Sequence, residues 1–294
     1  VNLDTDLMRL AHFPERATHV ALAVSGGPDS LGLLLLALEA GLVVTVHHVD
    51  HHARAASTGE AAHVARICEQ LGVTFVGHDV EVEPGANFEA RARAARRAAM
   101  PSSVLTGHTM DDLAETVLLN MMRGAGIDGL SPMVHDATKP LRDIRRNDLH
   151  FYVARSAFIP TEDESNDNDV YSRNRVRHEL MAVLSDIAGR DIVPLLARQA
   201  SVIFDERAWL DALCEPDQLF ELNDVDCREL RQWPLARQRR WLRAKLHVDD
   251  PDGVHPPSFE EVERALRVVN GEVIATELSG GRRLSRKGQR LTLD

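Results

Sequence analysis

Between an apolar run at residues 20–24 (VALAV) and a leucine-rich run at 31–38 lies Ser25-Gly26-Gly27-Pro28-Asp29-Ser30, which constrains this chain more than any other stretch. The pattern predicts a buried strand, a tight glycine turn and then a helix. Two glycines let backbone approach a ligand closely. A helix starting near Pro28 aims unpaired N–H groups and the positive end of its dipole at an anion. Ser25 and Ser30 add hydroxyl donors. A carboxylate facing phosphate needs a cation between them, so Asp29 is the expected Mg²⁺ ligand. An ordinary strand–helix turn, punctuated by glycine and serine, is the weaker reading. The lysine of a GxxxxGK[ST] loop is absent, which disfavours γ-phosphate transfer.

Apolar runs recur at 18–24, 42–50, 73–80 and 103–108. Near-continuous apolarity suits parallel strands covered on both faces. Helical segments lie between them: one opens with a capping box at Ser57 to Glu60 and closes at Gly72, and another spans 88–100 after a cap at Asn87. This alternation predicts an α/β fold, a doubly wound, mostly parallel sheet with ligands at the carboxyl ends of its strands. The polar clusters fall at those ends: the hexapeptide, then Asp50-His51-His52, then His108. Asp50 is placed to bond a ribose hydroxyl or an adenine edge. His47, His48, His51 and His52 invite a zinc site, but strand alternation splits them between faces and no carboxylate stands at ligand spacing.

Residues 108–116 (HTMDDLAET) carry the second strong signal. At about 100° per residue His108, Asp112 and Glu115 share one helix face. Ala114, Val117, Leu118 and Met121 form the opposite, core-facing side. Carboxylates complementing a helix dipole would explain Asp111 and Asp112, but not His108 or Glu115. The functional reading gives Asp112 or Asp111 to Mg²⁺ and His108 to phosphate.

The SGGPDS stretch resembles the signature of the PP-loop (N-type) ATP pyrophosphatases, and HTMDDLAETVLLNMMRGAGIDGL (108–130) resembles the matching stretch of the tRNA(Ile)-lysidine synthetases. The Arg-bearing segment 87–100, Lys139-Pro140-Leu141, and an acidic loop leading into Arg173-Asn174-Arg175-Val176-Arg177 resemble further motifs of that family. Departures fall in loops, at His52 and Glu164. The resemblance covers roughly residues 18–185 and implies adenylation of a wobble cytidine by ATP, then attack by L-lysine. The partners implied are a tRNA(Ile) with a CAU anticodon, L-lysine, ATP and Mg²⁺; no obligate protein partner is implied, and a homodimer stays open. Preorganised N–H groups, Mg²⁺ and arginines dominate such chemistry. The glycine loop supplies the first, Asp29 and Asp112 the second, and Arg93 or Arg96 with Arg173, Arg175 and Arg177 the third. Arg173 and Arg177 share a helix face, which suits clamping an anion. Glu162, Asp163 and Glu164 could attract an ammonium, although acid runs are usually solvated.

A chain of 294 residues accommodates a catalytic domain, expected over 1–200, and a smaller, mainly helical tRNA-binding domain over 201–294. The net charge of −11 argues against nucleic acid until its distribution is read. Seven basic residues and one acid lie between positions 228 and 245, and five basic residues and no acid between 282 and 290. Arg239, Arg240, Arg282 and Arg283 are the candidates to hold tRNA. A basic helix is expected over 228–246, another helix over 259–270, and strand-like pieces at 272–278 and 290–293 framing a basic turn. Trp233 and Trp241 favour core packing over base stacking. Three scattered cysteines offer no disulfide framework or cluster, and Cys68 reads as a helix core residue. No apolar run reaches membrane-spanning length, which points to a cytoplasmic protein.

Overall fold

Three of the four apolar runs form one parallel sheet. The computed structural model describes residues 3–50, 57–80, 88–161, 168–218, 221–222, 224–250, 253–255 and 257–294. In it β1 (His19–Ala23), β2 (Val43–Asp50) and β3 (Thr74–Asp79) pair in the order β1-β2-β3. The strand expected over 103–108 is reduced to a single bridge between Leu105 and Leu22. Leu105 donates to Ala21 O at 2.8 Å and accepts from Ala23 N at 2.9 Å. One residue later Thr106 N turns to Thr138 O (2.9 Å), and Gly107 passes against the backbone of Asp29, so the ladder cannot continue. After β3 the chain thus returns to the other side of β1. A crevice at such a reversal is where open α/β sheets bind ligands.

The helices follow from the same pattern. α1 (Leu3–Leu10) precedes the sheet; α2 (Pro28–Glu39), α3 (Ser57–Leu71) and α4 (Phe88–Ala99) alternate with its strands. α2 is apolar nearly all round, and Leu31, Leu33, Leu34 and Leu36 are fully buried, as expected for a helix at the centre of a core. Cys68 packs in that core, where burial pushes its thiol up to about 11. The β2 side chains alternate: Val44, Val46, His48 and Asp50 are buried, while Thr45, His47 and Val49 are half-buried. One face is therefore better covered than the other, contrary to the expectation from continuous apolarity.

α5 (Met110–Met122) and α6 (Arg146–Ala154) follow. α7 (Asn168–Arg175) then continues through a π-helical turn, Val176–Leu180, into α8 (Met181–Ala188). Gly189, at φ 64°, ends α8 before α9 (Val193–Gln218). Ala114 and Leu118 of α5 pack with Val176, Met181 and Val193, as the helix-face reading requires. Met121 does not: it is 64 % exposed, because that core ends one turn before it.

The chain divides into two compact units, Val1–Phe204 and Asp205–Asp294. In the second, the basic helix expected over 228–246 is two helices, α10 (Cys227–Leu230) and α11 (Leu235–Lys245), interrupted at Pro234, which has no N–H to give. β4 (Val248–Asp250) and β5 (Gly253–His255) pair, and α12 (Phe259–Asn270) matches expectation. β6 (Ala275–Glu277), β7 (Arg283–Lys287) and β8 (Arg290–Leu293) form an antiparallel sheet. The basic segment read as a turn is thus largely strand β7. Trp241 is buried and meets Trp233 edge to face at 6.1 Å, so both belong to packing.

Glu261 pins this unit together. Its carboxylate accepts from Ser258 N (2.9 Å), closing a capping box on α12, and from Ser279 N. Burial pushes its carboxyl up, but these bonds outweigh burial and hold it at about 2, below its ordinary 4.5. A depressed carboxyl stabilises the fold above its unfolded value and loses that contribution as pH falls through the folded one. Glu261→Ala should cost about 1–2 kcal/mol at neutral pH. The wild-type advantage should vanish between pH 4.5 and about 2. All three tryptophans lie in this unit, so the fluorescence-detected urea midpoint measures it. Equal midpoints for the two proteins at pH 7 would contradict the pinning role.

Candidate active site

Three separated stretches meet at the carboxyl end of β1. The hexapeptide turns there as predicted: Gly26 takes φ 98°, Gly27 caps α2 and Pro28 is its first residue. Ser30 Oγ accepts from Gly26 N (3.1 Å), donates to Gly27 O (2.9 Å) and lies 3.2 Å from Ser25 Oγ, so the serines fix the loop. Thr161 N donates to Gly26 O at 2.9 Å, and a Cβ on Gly26 would stand 2.8 Å from Thr161 Oγ1. The acidic loop, with Glu162, Asp163 and Glu164, lies outside the described residues. So do His51, His52, Asn87 and the side chains of Ser57, Thr58, Arg93 and Arg96.

Gly107 brings the second stretch against the loop, since a Cβ there would lie 2.5 Å from Asp29 O. His108 follows, its Nδ1 2.8 Å from Thr106 Oγ1. Burial pushes its imidazole below the usual range; Asp112 and Asp29 oppose this, while Lys139 and Arg173 add to it. Thr109 and Asp112 form a capping box on α5: Asp112 Oδ2 accepts from Thr109 N and Oγ1, each at 2.8 Å. Asp112 Oδ1 accepts from Arg146 Nη2 at 2.9 Å. Burial alone would raise its carboxyl, but Arg146 and the cap bonds hold it below 3.8.

Glu115 is the most enclosed of these acids, its side chain 2 % exposed, and it binds three arginines. Oε1 accepts from Arg146 Nη1 and Arg177 Nε, both at 2.8 Å, and Oε2 from Arg173 Nε and Arg177 Nη2, both at 3.1 Å. Arg173 and Arg177 therefore share a face, while Arg175 points elsewhere and pairs with Glu179 (3.0 Å). Arg177 sits within the π-helical turn, a feature common at functional sites. Asp111 takes a different partner set, Arg145 at 3.1 Å and Arg146 N at 2.8 Å. Asp29 Oδ1 accepts from His150 Nε2 at 2.8 Å, and Oδ2 lies 3.7 Å from Arg146 Nε.

Arg146 and His150 escaped the sequence reading. The signal was the face of α6, where Arg146 and His150 alternate with the buried Leu149 and Val153 at i, i+3, i+4 and i+7. Asp50 is buried at the end of β2, the strand next to β1. His48 bonds Val24 O (2.8 Å) while His47 bonds His78 (2.8 Å), so the two neighbours do split between faces. Among the described residues no cluster of three metal-ligating side chains occurs.

The basic candidates of the second unit have internal partners. Arg239 pairs with Glu263 (2.7 Å), Arg240 with Asp211, and Arg283 with Glu277 (3.7 Å). Arg282 donates to Leu246 O at 2.8 Å, tying α11 to the segment before β7.

A buried strand, a serine-fixed glycine turn and an aspartate in the first turn of a helix define a PP-loop domain, and that family matches residues 3–184. Within it, the chain belongs to the tRNA(Ile)-lysidine synthase family. It is 34 % identical to the tRNA(Ile)-lysidine synthase of Nocardia farcinica, over 92 % of this chain and 86 % of that one. It is 35 % identical to that of Rhodococcus erythropolis, over 91 % and 83 %. Among solved structures, the U34-tRNA thiolase NcsA of Methanococcus maripaludis superposes with a TM-score of 0.53 at 15 % identity, over 69 % of this chain and 78 % of that one, a likeness of fold. No described helix is long and apolar enough to cross a membrane.

Proposed function

We propose that the chain forms lysidine on tRNA(Ile) in two ATP-driven steps. The C2 carbonyl oxygen of the wobble cytidine in a CAU anticodon attacks the α-phosphorus of ATP, and pyrophosphate leaves. The ε-amine of L-lysine, having lost a proton, then attacks C2, and AMP departs with the former carbonyl oxygen. The observation that carries this reading is the meeting of the SGGPDS loop, His108 and the Glu115-held arginines at one crevice, in a chain spanning most of the length of its lysidine synthase relatives.

The roles follow from geometry. Free N–H groups in the first turn of α2 receive the phosphates, while Ser25 and Ser30 hold the Gly26 and Gly27 N–H groups and so fix the turn beside them. His108, kept neutral by burial, contacts a phosphate oxygen. Arg173 and Arg177 face developing negative charge while Glu115 fixes their forks. Mg²⁺ fits here through Asp29, whose Oδ2 has no hydrogen bond, with phosphate oxygens and water as the other ligands. Asp112, with both oxygens bonded, supports that site through Arg146. When bound, the cation neutralises charge on the leaving pyrophosphate. Asp50 takes the nucleoside end, and Arg93 or Arg96 adds positive charge. Arg175, Arg239, Arg240 and Arg283 contact tRNA phosphates by exchanging exposed ion pairs, which are worth little individually. Arg282, which donates to Leu246 O, holds the chain next to Arg283 in the second unit. Cytoplasm is the setting in which tRNA, L-lysine and ATP are all available.

Labelled lysine supplied with Mg-ATP and a CAU-bearing tRNA(Ile) should become acid-precipitable, releasing AMP and pyrophosphate. An elongator methionine tRNA should stay unlabelled. Asp29→Ala should reduce transfer by at least about 100-fold, the scale on which loss of one preorganised electrostatic contact acts. Pyrophosphate release without lysine incorporation would discard the lysine and keep the ATP chemistry.

A further inference from the structure

α6 reaches the phosphate loop because of one close helix contact. A Cβ on Gly32 would fall 2.5 Å from Leu149 Cδ1, so α2 and α6 touch where a larger residue has no room. Leu149 and Val153 are buried at that contact. Arg146 and His150, on the same face of α6, therefore come up beside Asp29, one turn before Gly32 on α2. His150 Nε2 donates to Asp29 Oδ1 at 2.8 Å. Arg146 donates from its two terminal nitrogens to Asp112 and Glu115. Its Nε stands 3.7 Å from Asp29 Oδ2. Among the described residues, this Nε is the one buried side-chain nitrogen or oxygen without a hydrogen-bond partner. A buried donor in an otherwise satisfied cluster needs an acceptor, and here the gap adjoins Asp29.

We propose that His150 is a positioning residue for the cation and nucleotide site. By holding Oδ1, it leaves Oδ2 as the oxygen offered to a divalent cation, and it keeps the carboxylate from swinging to Arg146. An anionic oxygen arriving with that cation supplies the acceptor that Arg146 Nε lacks. Ligating carboxylates are commonly oriented by such outer partners, whose removal weakens metal binding by about 10- to 100-fold. The proposal rests on the nucleotide-site reading above.

The test omits tRNA and lysine. A fluorescent ATP analogue is bound to the full chain while Mg²⁺ is titrated, and the Mg²⁺ concentration at half-maximal binding is recorded. His150→Ala should raise that concentration about tenfold. His150→Leu, of similar bulk and without a donor, should match it. His150→Gln, whose amide N–H reaches the place of Nε2, should restore most of the loss. A purely structural role would not give this ordering, and melting temperatures should stay near wild type because His150 is partly exposed. Unchanged Mg²⁺ dependence in both His150→Ala and His150→Leu, with wild-type nucleotide binding intact, would overturn the positioning role alone. A wild-type chain that binds no nucleotide at any Mg²⁺ concentration would overturn the site reading and this proposal together.

Discussion

Glu115→Ala should destabilise the first unit by about 3–5 kcal/mol, the range expected when one partner of a buried ion-pair network is removed. Arg146, Arg173 and Arg177 converge on this one carboxylate, and among the described residues Asp112 is the only other acid within 4 Å of all three. Without Glu115 three guanidiniums face each other around one carboxylate already bound by a helix cap. Repulsion should drive the exposed ends of Arg173 and Arg177 outward and disorder the anion clamp. Glu115→Gln keeps the shape but not the charge, so its loss should be smaller and of the same sign. Amide hydrogen exchange along α5 and α6 is the direct readout, with lysine transfer as the second. Tryptophan fluorescence samples the other unit and offers a contrast. A cost below about 1 kcal/mol would mean that these charges are solvated, as surface pairs are.

That acid also shows what could be read in advance. Its place on one face with Asp112 follows from helical periodicity, whereas His108, expected on that face, lies ahead of the Thr109 cap and reaches the site from the segment before α5. The strand, turn and helix around SGGPDS were legible for the same reason: local pattern and backbone chemistry agree there. What periodicity does not carry is the partner. The role of Glu115 depends on α6, α7 and the π-helical turn after it, whose arginines arrive from 31, 58 and 62 residues further along the chain. His150 was invisible because its meaning lies in the contact between Gly32 and Leu149, two residues that look unremarkable in their own helices. The fourth strand failed similarly. Residues 103–108 are apolar enough, but Gly107 must pass the Asp29 backbone, and that demand ends the ladder after Leu105. In the second unit, charge runs were visible while the acids neutralising them, Asp211, Glu263 and Glu277, were scattered.

Gly107→Ala should cost at least about 100-fold in lysine transfer while lowering stability by only about 1–3 kcal/mol. The added methyl carbon would lie 2.5 Å from Asp29 O, 2.8 Å from Asp29 C and 3.2 Å from Ser30 N. All three are backbone atoms of the first turn of α2, so no side chain can rotate out of the way. Either α2 retreats, carrying Asp29 and the free N–H groups with it, or the segment before α5 retreats, carrying His108. Both movements open the gap between the two halves of the site, and displacement by about an ångström is enough to cost about two orders of magnitude in rate. The core beneath is made of other residues, which is why stability should suffer less than chemistry. Gly59→Ala is the matched control: no atom lies within 4 Å of a Cβ there, and the residue sits within α3. It should gain roughly 0.5–1 kcal/mol from helix propensity and keep full activity. Thermal melts and lysine-transfer rates of the two variants separate the effects. An active Gly107→Ala protein with wild-type Mg-ATP binding would show that the two halves of the site tolerate being pushed apart, and the crevice at β1 would then not be where the reaction occurs.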